Sequence, residues 1–217
     1  MKLTVSMITM NEEGAVAKVV HDIRRVAPDA EILLVDSSKD RTAEIGESLG
    51  CRVIKQFPPQ GYGPAMDRAV REAHGDIVVT LDCDDTYPVD VIPELVRLID
   101  EGYDLVNTTR TWKRPKAMPF ANFLANRAFA LAARLLHGIK TTDVHSGMRA
   151  YRKTMIDAVQ WTPRGPALPV DMYVIPYRRG FRTIEIPIDY RERIGTTTLH
   201  RFSSTWWTLK RLWKARK

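Results

Sequence analysis

Asp76-Ile77-Val78-Val79-Thr80-Leu81-Asp82-Cys83-Asp84-Asp85-Thr86-Tyr87-Pro88 decides how the rest of this 217-residue sequence is read. Its first half is an apolar run of strand length. Its second half sets three carboxylates within four residues where that strand should end. The carboxyl ends of parallel strands are where open α/β sheets bind their ligands. Side chains alternate along an extended chain, so Asp82 and Asp84 can point the same way. Two hard oxygen ligands on one side suit Mg²⁺ or Mn²⁺, which keep their other positions for water and a ligand's phosphates. The competing reading is a solvated acidic turn, and the surrounding chain has to choose between them.

Outward from that stretch, buried strands and helices alternate. Residues 3–9 read as a strand, followed by the turn Asn11-Glu12-Glu13-Gly14 and helical periodicity from Ala15 to Val26. Glu31 to Val35 is a second strand ending at Asp36, and Asp40 can cap the helix that follows. Arg52 to Ile54, the loop Pro58 to Gly63, a helix from about Pro64 to His74, a helix from about Asp90 to Asp100 and a strand over Asp104 to Asn107 continue the pattern. Such alternation predicts an α/β fold with a mostly parallel sheet between helices. Glu12, Asp36, Gln60, Asp82 and Asp84 all follow strands, and right-handed crossovers bring those ends to one edge. The sequence holds neither GxGxxG nor GxxxxGK[ST], so neither a dinucleotide fold nor a P-loop is supported.

Past residue 110 the texture changes. Met118 to His137 reads as a helix packed on the body, with a membrane-surface helix as the second reading. The wheel places Phe120, Leu124, Ala128, Leu131 and Leu135 on one side and Asn122, Asn126, Arg127 and Arg134 on the other. Thr142 to Arg149 is a polar loop running into Ala150-Tyr151-Arg152, and His145 reads as a loop residue. Helices are expected near Lys153 to Ala158 and Pro169 to Arg179, then an edge strand over Thr183 to Ile188.

The length suits one domain, 1–199, with a basic aromatic tail, 200–217. The net charge is +7, and six basic residues with no acidic one lie from His200 onward, which leaves +1 for the body. Phe202, Trp206, Leu209 and Trp213 recur at helical spacing amid Lys210, Arg211, Lys214, Arg216 and Lys217, a pattern suited to a membrane interface. The alternative is a helix whose stripe packs on its own domain. No run of about 18 apolar residues occurs. Two cysteines make no disulfide framework, so a reduced, cytoplasmic protein, peripheral at the inner face of a membrane, is expected.

Six stretches, in order, resemble family 2 glycosyltransferases of the GT-A type, most closely the dolichyl- or polyprenyl-phosphate sugar transferase branch. They are Val5 to Glu13, Val35 to Thr42, Gln60 to Ala65, Gly75 to Pro88, Asp143 to Tyr151 and Glu185 to Gly195. The resemblance implies a nucleotide-diphosphate sugar donor (GDP-mannose or a UDP-hexose) contacted by Thr9, Asn11, Glu12, Asp36, Gln60 and Asp82. It implies Mg²⁺ or Mn²⁺ on Asp82 and Asp84, and Arg110, Ser146 and Arg149 beside the reacting groups, with Arg193 as a further phosphate fork. The implied reaction is inverting transfer to a lipid phosphate. Asp143 and Asp171 are the candidate general bases should the acceptor instead be a soluble hydroxyl compound. The late loop departs from the family pattern, with Thr196-Thr197-Thr198 where many relatives place Ser-Lys. A non-catalytic nucleotide-sugar or nucleic-acid module is the remaining alternative, and a nucleic-acid binder gains nothing from carboxylates facing phosphates.

Overall fold

A computed structural model describes residues 1–195 and 201–215, with the backbone alone for 201–204. The Thr196–Thr198 loop, the Phe202 side chain, Arg216 and Lys217 lie outside the described residues. The elements run β1 (Leu3–Thr9), α1 (Val16–Val26), β2 (Glu31–Asp36), α2 (Thr42–Ser48), β3 (Arg52–Lys55), α3 (Tyr62–Arg71), β4 (Ile77–Thr80), α4 (Ile92–Asp100) and β5 (Leu105–Thr109). Then come α5 (Phe120–His137), β6 (Arg149–Arg152), α6 (Lys153–Ala158), α7 (Leu168–Arg178), β7 (Thr183–Pro187) and α8 (Arg201–Lys214).

Among the described residues the sheet has seven strands in the order β3-β2-β1-β4-β6-β5-β7. The neighbours β1–β2, β2–β3, β1–β4 and β5–β7 are parallel, while β6 runs antiparallel between β4 and β5. The pleat sends alternate side chains to opposite layers. Ile77 and Val79 join Val16, Val20, Ile92 and Leu95 on the α1/α4 side. Val78 joins Met66, Val70, Met155, Tyr173 and Leu212 on the α3/α6/α7/α8 side. The parallel half, the edge position of β7 and the helices agree with the sequence expectations. Strand β6 was read only as the end of a loop.

Helix α5 departs from its expected orientation. Its buried face is made by Ala130 and Ala133, with Phe129, Ala132 and Leu136 packed beside them. The Phe120, Leu124, Leu131 and Leu135 stripe points outward, Leu135 being 77% exposed. Small alanines let α5 approach the domain closely, and the bulkier leucines are left over. Arg127 and Arg134 do not lie opposite that stripe either: with Leu124, Ala128 and Leu131 they line one shallow hollow of about 350 Å³.

Helix α8 docks on the domain, but not through the stripe that the sequence pattern singled out. Thr208, Arg211 and Leu212 are buried against the domain, while Trp206, Leu209 and Trp213 are exposed. The predicted stripe is the outer face, and the docking face is the one between its members.

The orientation of α5 is testable by denaturant unfolding. Leu135→Lys should shift stability by no more than about 0.5 kcal/mol, as a surface change does. Ala133→Leu, overpacking the docked face, should cost about 1–3 kcal/mol. The reverse ranking would mean the leucine stripe is the buried one.

Candidate active site

The carboxyl ends of β1, β2 and β4, with the loops before α3 and α7 and after β7, enclose a cavity of about 410 Å³. Thr9, Glu12, Gln60, Asp82 and Asp84 all line it, together with Ser37, Tyr62, Gly165, Pro166 and Arg193. The register explains the convergence: Thr9 pairs with Asp36 across β1–β2, and Ser6 with Thr80 across β1–β4.

The carboxylate triplet splits. Asp84 is fully buried; its Oδ1 accepts the Thr86 amide at 3.1 Å and the Thr86 hydroxyl at 2.6 Å, and its Oδ2 pairs with Arg193. Asp82 lies under Gly147, where a Cβ would come within 3.0–3.2 Å of its carboxylate. Asp85, at a φ of 62°, turns away to meet Lys18 at 2.9 Å. An aspartate tolerates that left-handed backbone better than most residues.

Three acidic groups thus crowd one guanidinium, since Arg193 also lies 3.7 Å from Glu12. Burial, less the pull of Arg193 and plus repulsion from Asp84, Asp82 and Asp40, pushes Glu12 up to about 7. Burial and Asp84 push Asp82 up to about 6, against the pull of Arg110 and Arg193. The corner is short of positive charge, and its donors are hard oxygens, which fits Mg²⁺ or Mn²⁺. No three acidic, His or Cys side chains among the described residues form a ready cage. These cations need none, because one or two carboxylates plus water and substrate phosphates complete the shell.

Asp36 and Asn11 shape the cavity from behind its lining. Asp36 Oδ1 accepts the Thr9 and Ser38 hydroxyls, each at 2.6 Å, and its Oδ2 the Ser38 amide at 3.2 Å. The Asn11 amide donates to Ser38 Oγ at 2.8 Å, and Asn11 Oδ1 accepts the Lys39 amide at 2.9 Å. These bonds tie the β1 and β2 turns together.

A second hollow, of about 500 Å³, is basic: Arg110, Lys113, Arg114, Lys116 and Arg191 line it with Asp189, Tyr190 and Glu192. Packed aromatics stand between the two hollows: Tyr190, which lines the second, meets buried Tyr87 edge-on at 5.6 Å, and Tyr87 Oη accepts the Gly147 amide at 2.7 Å.

Residues 4–159 match the family described as Glycosyl transferase family 2. The chain belongs to that family. It is 44% identical over 202 residues to a dolichyl-phosphate hexose transferase of Haloferax volcanii, covering 93% of this chain and 88% of that one. It is 29% identical over 203 residues to a dolichol-phosphate mannosyltransferase of Pyrococcus furiosus, covering 88% of this chain and 56% of that one. Its fold superposes at a TM-score of 0.80 on glucosyl-3-phosphoglycerate synthase from Mycobacterium tuberculosis, solved with Mn²⁺, UDP-glucose and glycerol 3-phosphate. That likeness, at 20% identity over 99% of this chain and 79% of that one, is one of GT-A fold.

Within this family 2 glycosyltransferase, two residues expected beside the reacting groups are buried among hydrogen-bond partners of the protein itself. Arg149 is 1% exposed and holds Asn107 Oδ1 at 2.6 Å, the Val144 carbonyl at 2.9 Å and the Pro169 carbonyl. It is the first residue of β6, opposite Thr80 and Asn107, so strand geometry turns it into the core. Ser146 is buried too, its hydroxyl 2.7 Å from Thr108 Oγ1.

Both candidate bases are held in ion pairs. Asp143 takes Arg110 in a fork at 2.7 and 3.0 Å; burial would raise its pKa, and Arg110 overrides that and holds it low. Asp171 pairs with Arg211, while burial keeps its pKa up. His145 reaches Thr208 Oγ1 of α8 at 2.8 Å and stacks edge-on against Phe129.

Sequence reading missed Gly147, Tyr87, Asn107 and Glu185. Glu185 accepts from Asn107 at 2.8 Å and from the Thr142 amide and hydroxyl at 2.8 and 2.7 Å, fixing the loop before β6. The available signal was Gly147 itself, a glycine between Ser146 and Met148 where the Asp82 carboxylate leaves no room for a side chain.

Arg149→Ala should therefore act on stability first. It strips three buried acceptors of their donor at about 1–3 kcal/mol each, so unfolding should show a loss of roughly 3 kcal/mol or more. An unchanged melting profile with a raised acceptor KM would return Arg149 to the substrate.

Proposed function

We propose that this chain transfers a hexose, with inversion, from a nucleoside-diphosphate sugar (GDP-mannose or a UDP-hexose) to the phosphate of a polyprenyl or dolichyl lipid. The observation that carries the reading is the adjacency of an acidic corner short of positive charge and a basic hollow, with both candidate bases locked in ion pairs. A hydroxyl acceptor needs a positioned general base. A phosphate monoester is already anionic, so its oxygen can attack the anomeric carbon without losing a proton, and cations to position it matter more. The names of the Haloferax and Pyrococcus relatives support the same acceptor class.

In this reading the donor lies in the 410 Å³ cavity, with Glu12, Ser37 and Gln60 toward the nucleoside. Asp82 and Asp84 would hold Mg²⁺ or Mn²⁺, which supplies Lewis-acid neutralisation of the departing nucleoside diphosphate. Arg193, drawn to the same carboxylates, stands within reach of that diphosphate. The acceptor phosphate sits against the basic hollow, where Arg110 is held flat by Asp143 and lies 5.4 Å from the Tyr190 ring centre. A new bond forms between a phosphate oxygen and the anomeric carbon as the bond from that carbon to the diphosphate breaks on the opposite face.

The lipid is reached at a membrane surface. No described helix is long and apolar enough to cross a bilayer. Trp206, Leu209 and Trp213 of α8 and the outward leucines of neighbouring α5 give an apolar face, with Arg127, Arg134, Lys210 and Lys214 for anionic headgroups. Each basic residue at such a surface adds about 1 kcal/mol.

Two measurements bear on this. Asp84→Asn should lower transfer by on the order of 10²-fold or more, since the cation contributes several kcal/mol, and should weaken Mn²⁺-dependent nucleotide binding. Undiminished transfer in that variant, or in excess EDTA, removes the metal role. Flotation with anionic vesicles should recover the chain, and Trp206→Ala with Trp213→Ala should reduce recovery at least tenfold by removing two interfacial anchors. Equal recovery places the membrane contact elsewhere.

A further inference from the structure

The segment between α6 and α7 has two neighbours that the reaction chemistry leaves unconnected. On one side, Gly165 and Pro166 line the same cavity as Asp82, Asp84 and Glu12. The segment is pressed hard against the start of α3: a Cβ on Gly63 would fall 2.7 Å from the Gly165 carbonyl oxygen and 3.1 Å from that of Pro163. On the other side stands α8. The Trp207 ring lies where a Cβ on Gly165 would be, 2.7 Å from its Cδ2 and Cε2, and Gly165 holds a φ of 77° that favours glycine. Arg211 donates to the Thr162 carbonyl at 3.0 Å and to the Arg164 carbonyl while pairing with Asp171 at the head of α7.

A loop of two prolines and a glycine makes few hydrogen bonds of its own. Between its ends the described backbone bond is Arg164 N to Thr162 O at 2.8 Å. Two of its carbonyls, those of Thr162 and Arg164, are gathered instead by one guanidinium 49 and 47 residues further on. Arginine's planar fork serves two carbonyls and a carboxylate together from a rigid, spread set of donors, a geometry that the compact ammonium of a lysine does not reproduce. An indole packed on a bare glycine backbone fixes the loop's distance from α8, and Gly63 fixes its distance from α3.

We infer that Trp207 and Arg211 are positioning residues for the donor. The face of α8 turned inward sets the wall formed by Gly165 and Pro166, and so sets the affinity of the cavity for a nucleoside diphosphate. This rests on the donor reading proposed above for that cavity. It assigns the tail helix a role in the absence of any membrane, distinct from that of its outer stripe.

Calorimetric titration of the full chain with UDP and with GDP, with Mn²⁺ and without lipid, tests it. Arg211→Ala and Trp207→Leu should each raise the Kd of whichever nucleotide binds by tenfold or more. Trp206→Ala and Trp213→Ala, on the outer face of the same helix, should leave it within twofold. Arg211→Lys, which keeps the charge facing Asp171 but not the fork, should fall between. In turnover assays the donor KM should rise with acceptor KM unchanged. Circular dichroism confirms that each variant is folded, and Trp207→Leu keeps the Arg211–Asp171 pair should Arg211→Ala fail to fold. Folded Trp207→Leu that binds nucleotide as the parent does overturns the inference and leaves the donor reading standing. A parent chain that binds neither nucleotide sinks the donor reading instead. Amide exchange then decides the brace: faster exchange over residues 162–167 in Trp207→Leu supports it, and unchanged exchange rejects it.

Discussion

A buried charge in the middle of the sheet holds this molecule together. Taking a guanidinium out of water costs several kcal/mol unless its donors are met. Arg149 meets that cost with the Asn107 side chain and the carbonyls of Val144 and Pro169, and Asn107 passes the interaction on to Glu185 in β7. Thr80, Arg149, Asn107 and Glu185 stand in register across β4, β6, β5 and β7. The row fixes where the antiparallel strand enters the parallel sheet. That entry point determines where the loop before it, including Gly147, lies over Asp82. Charge–dipole bonds of this kind are about twice as strong as neutral ones, and a slip by one residue in β6 would put Ala150 where Arg149 belongs.

Downstream of that row, electrostatics divides the open edge of the sheet. Asp82, Asp84 and Glu12 share Arg193, and burial, with repulsion among these carboxylates, pushes the pKa values of Glu12 and Asp82 up. A few residues away Arg110, Lys113, Arg114, Lys116 and Arg191 outnumber their acidic neighbours. The crowding of like charges within each of these patches costs stability. In the proposed reading this is the expected cost of a site that brings two phosphate-bearing molecules together, one through a cation and one through arginines.

The parallel half of the fold was legible because its information is local. Each buried strand is a short apolar run, each is followed by its polar residue, and right-handed crossovers do the rest. Glu12, Asp36, Gln60, Asp82 and Asp84 could be brought to one edge of the sheet on that basis alone, though Asp36 stands behind the cavity that the other four line. Strand β6 was not legible: it has four residues, two of them arginines, and its alternation makes sense only once Asn107 and Thr80 flank it. The same non-local fact hid the true place of Arg149, which looked like a loop residue beside Ser146. Helix α5 misled for another reason. Its hydrophobic stripe is real, but a periodic pattern does not say which side faces the core when the docked side is built of alanines.

Helix α8 shows why amphipathic pattern alone could not choose between a docked and a membrane-facing tail. Residues 206, 209 and 213 recur every three to four positions, and so do 207, 208, 211 and 212 between them. The first set presents two tryptophans and a leucine outward; the second inserts Leu212, seats Trp207 on Gly165 and spends Arg211 on Asp171 and two carbonyls. Both sides of the helix carry large apolar side chains, interleaved with Lys210, Arg211 and Lys214. The domain covers one side and leaves the other beside the equally bare leucines of α5. The face packed on the wall formed by Gly165 and Pro166 and the exposed face of Trp206, Leu209 and Trp213 are therefore two sides of the same turns of one helix.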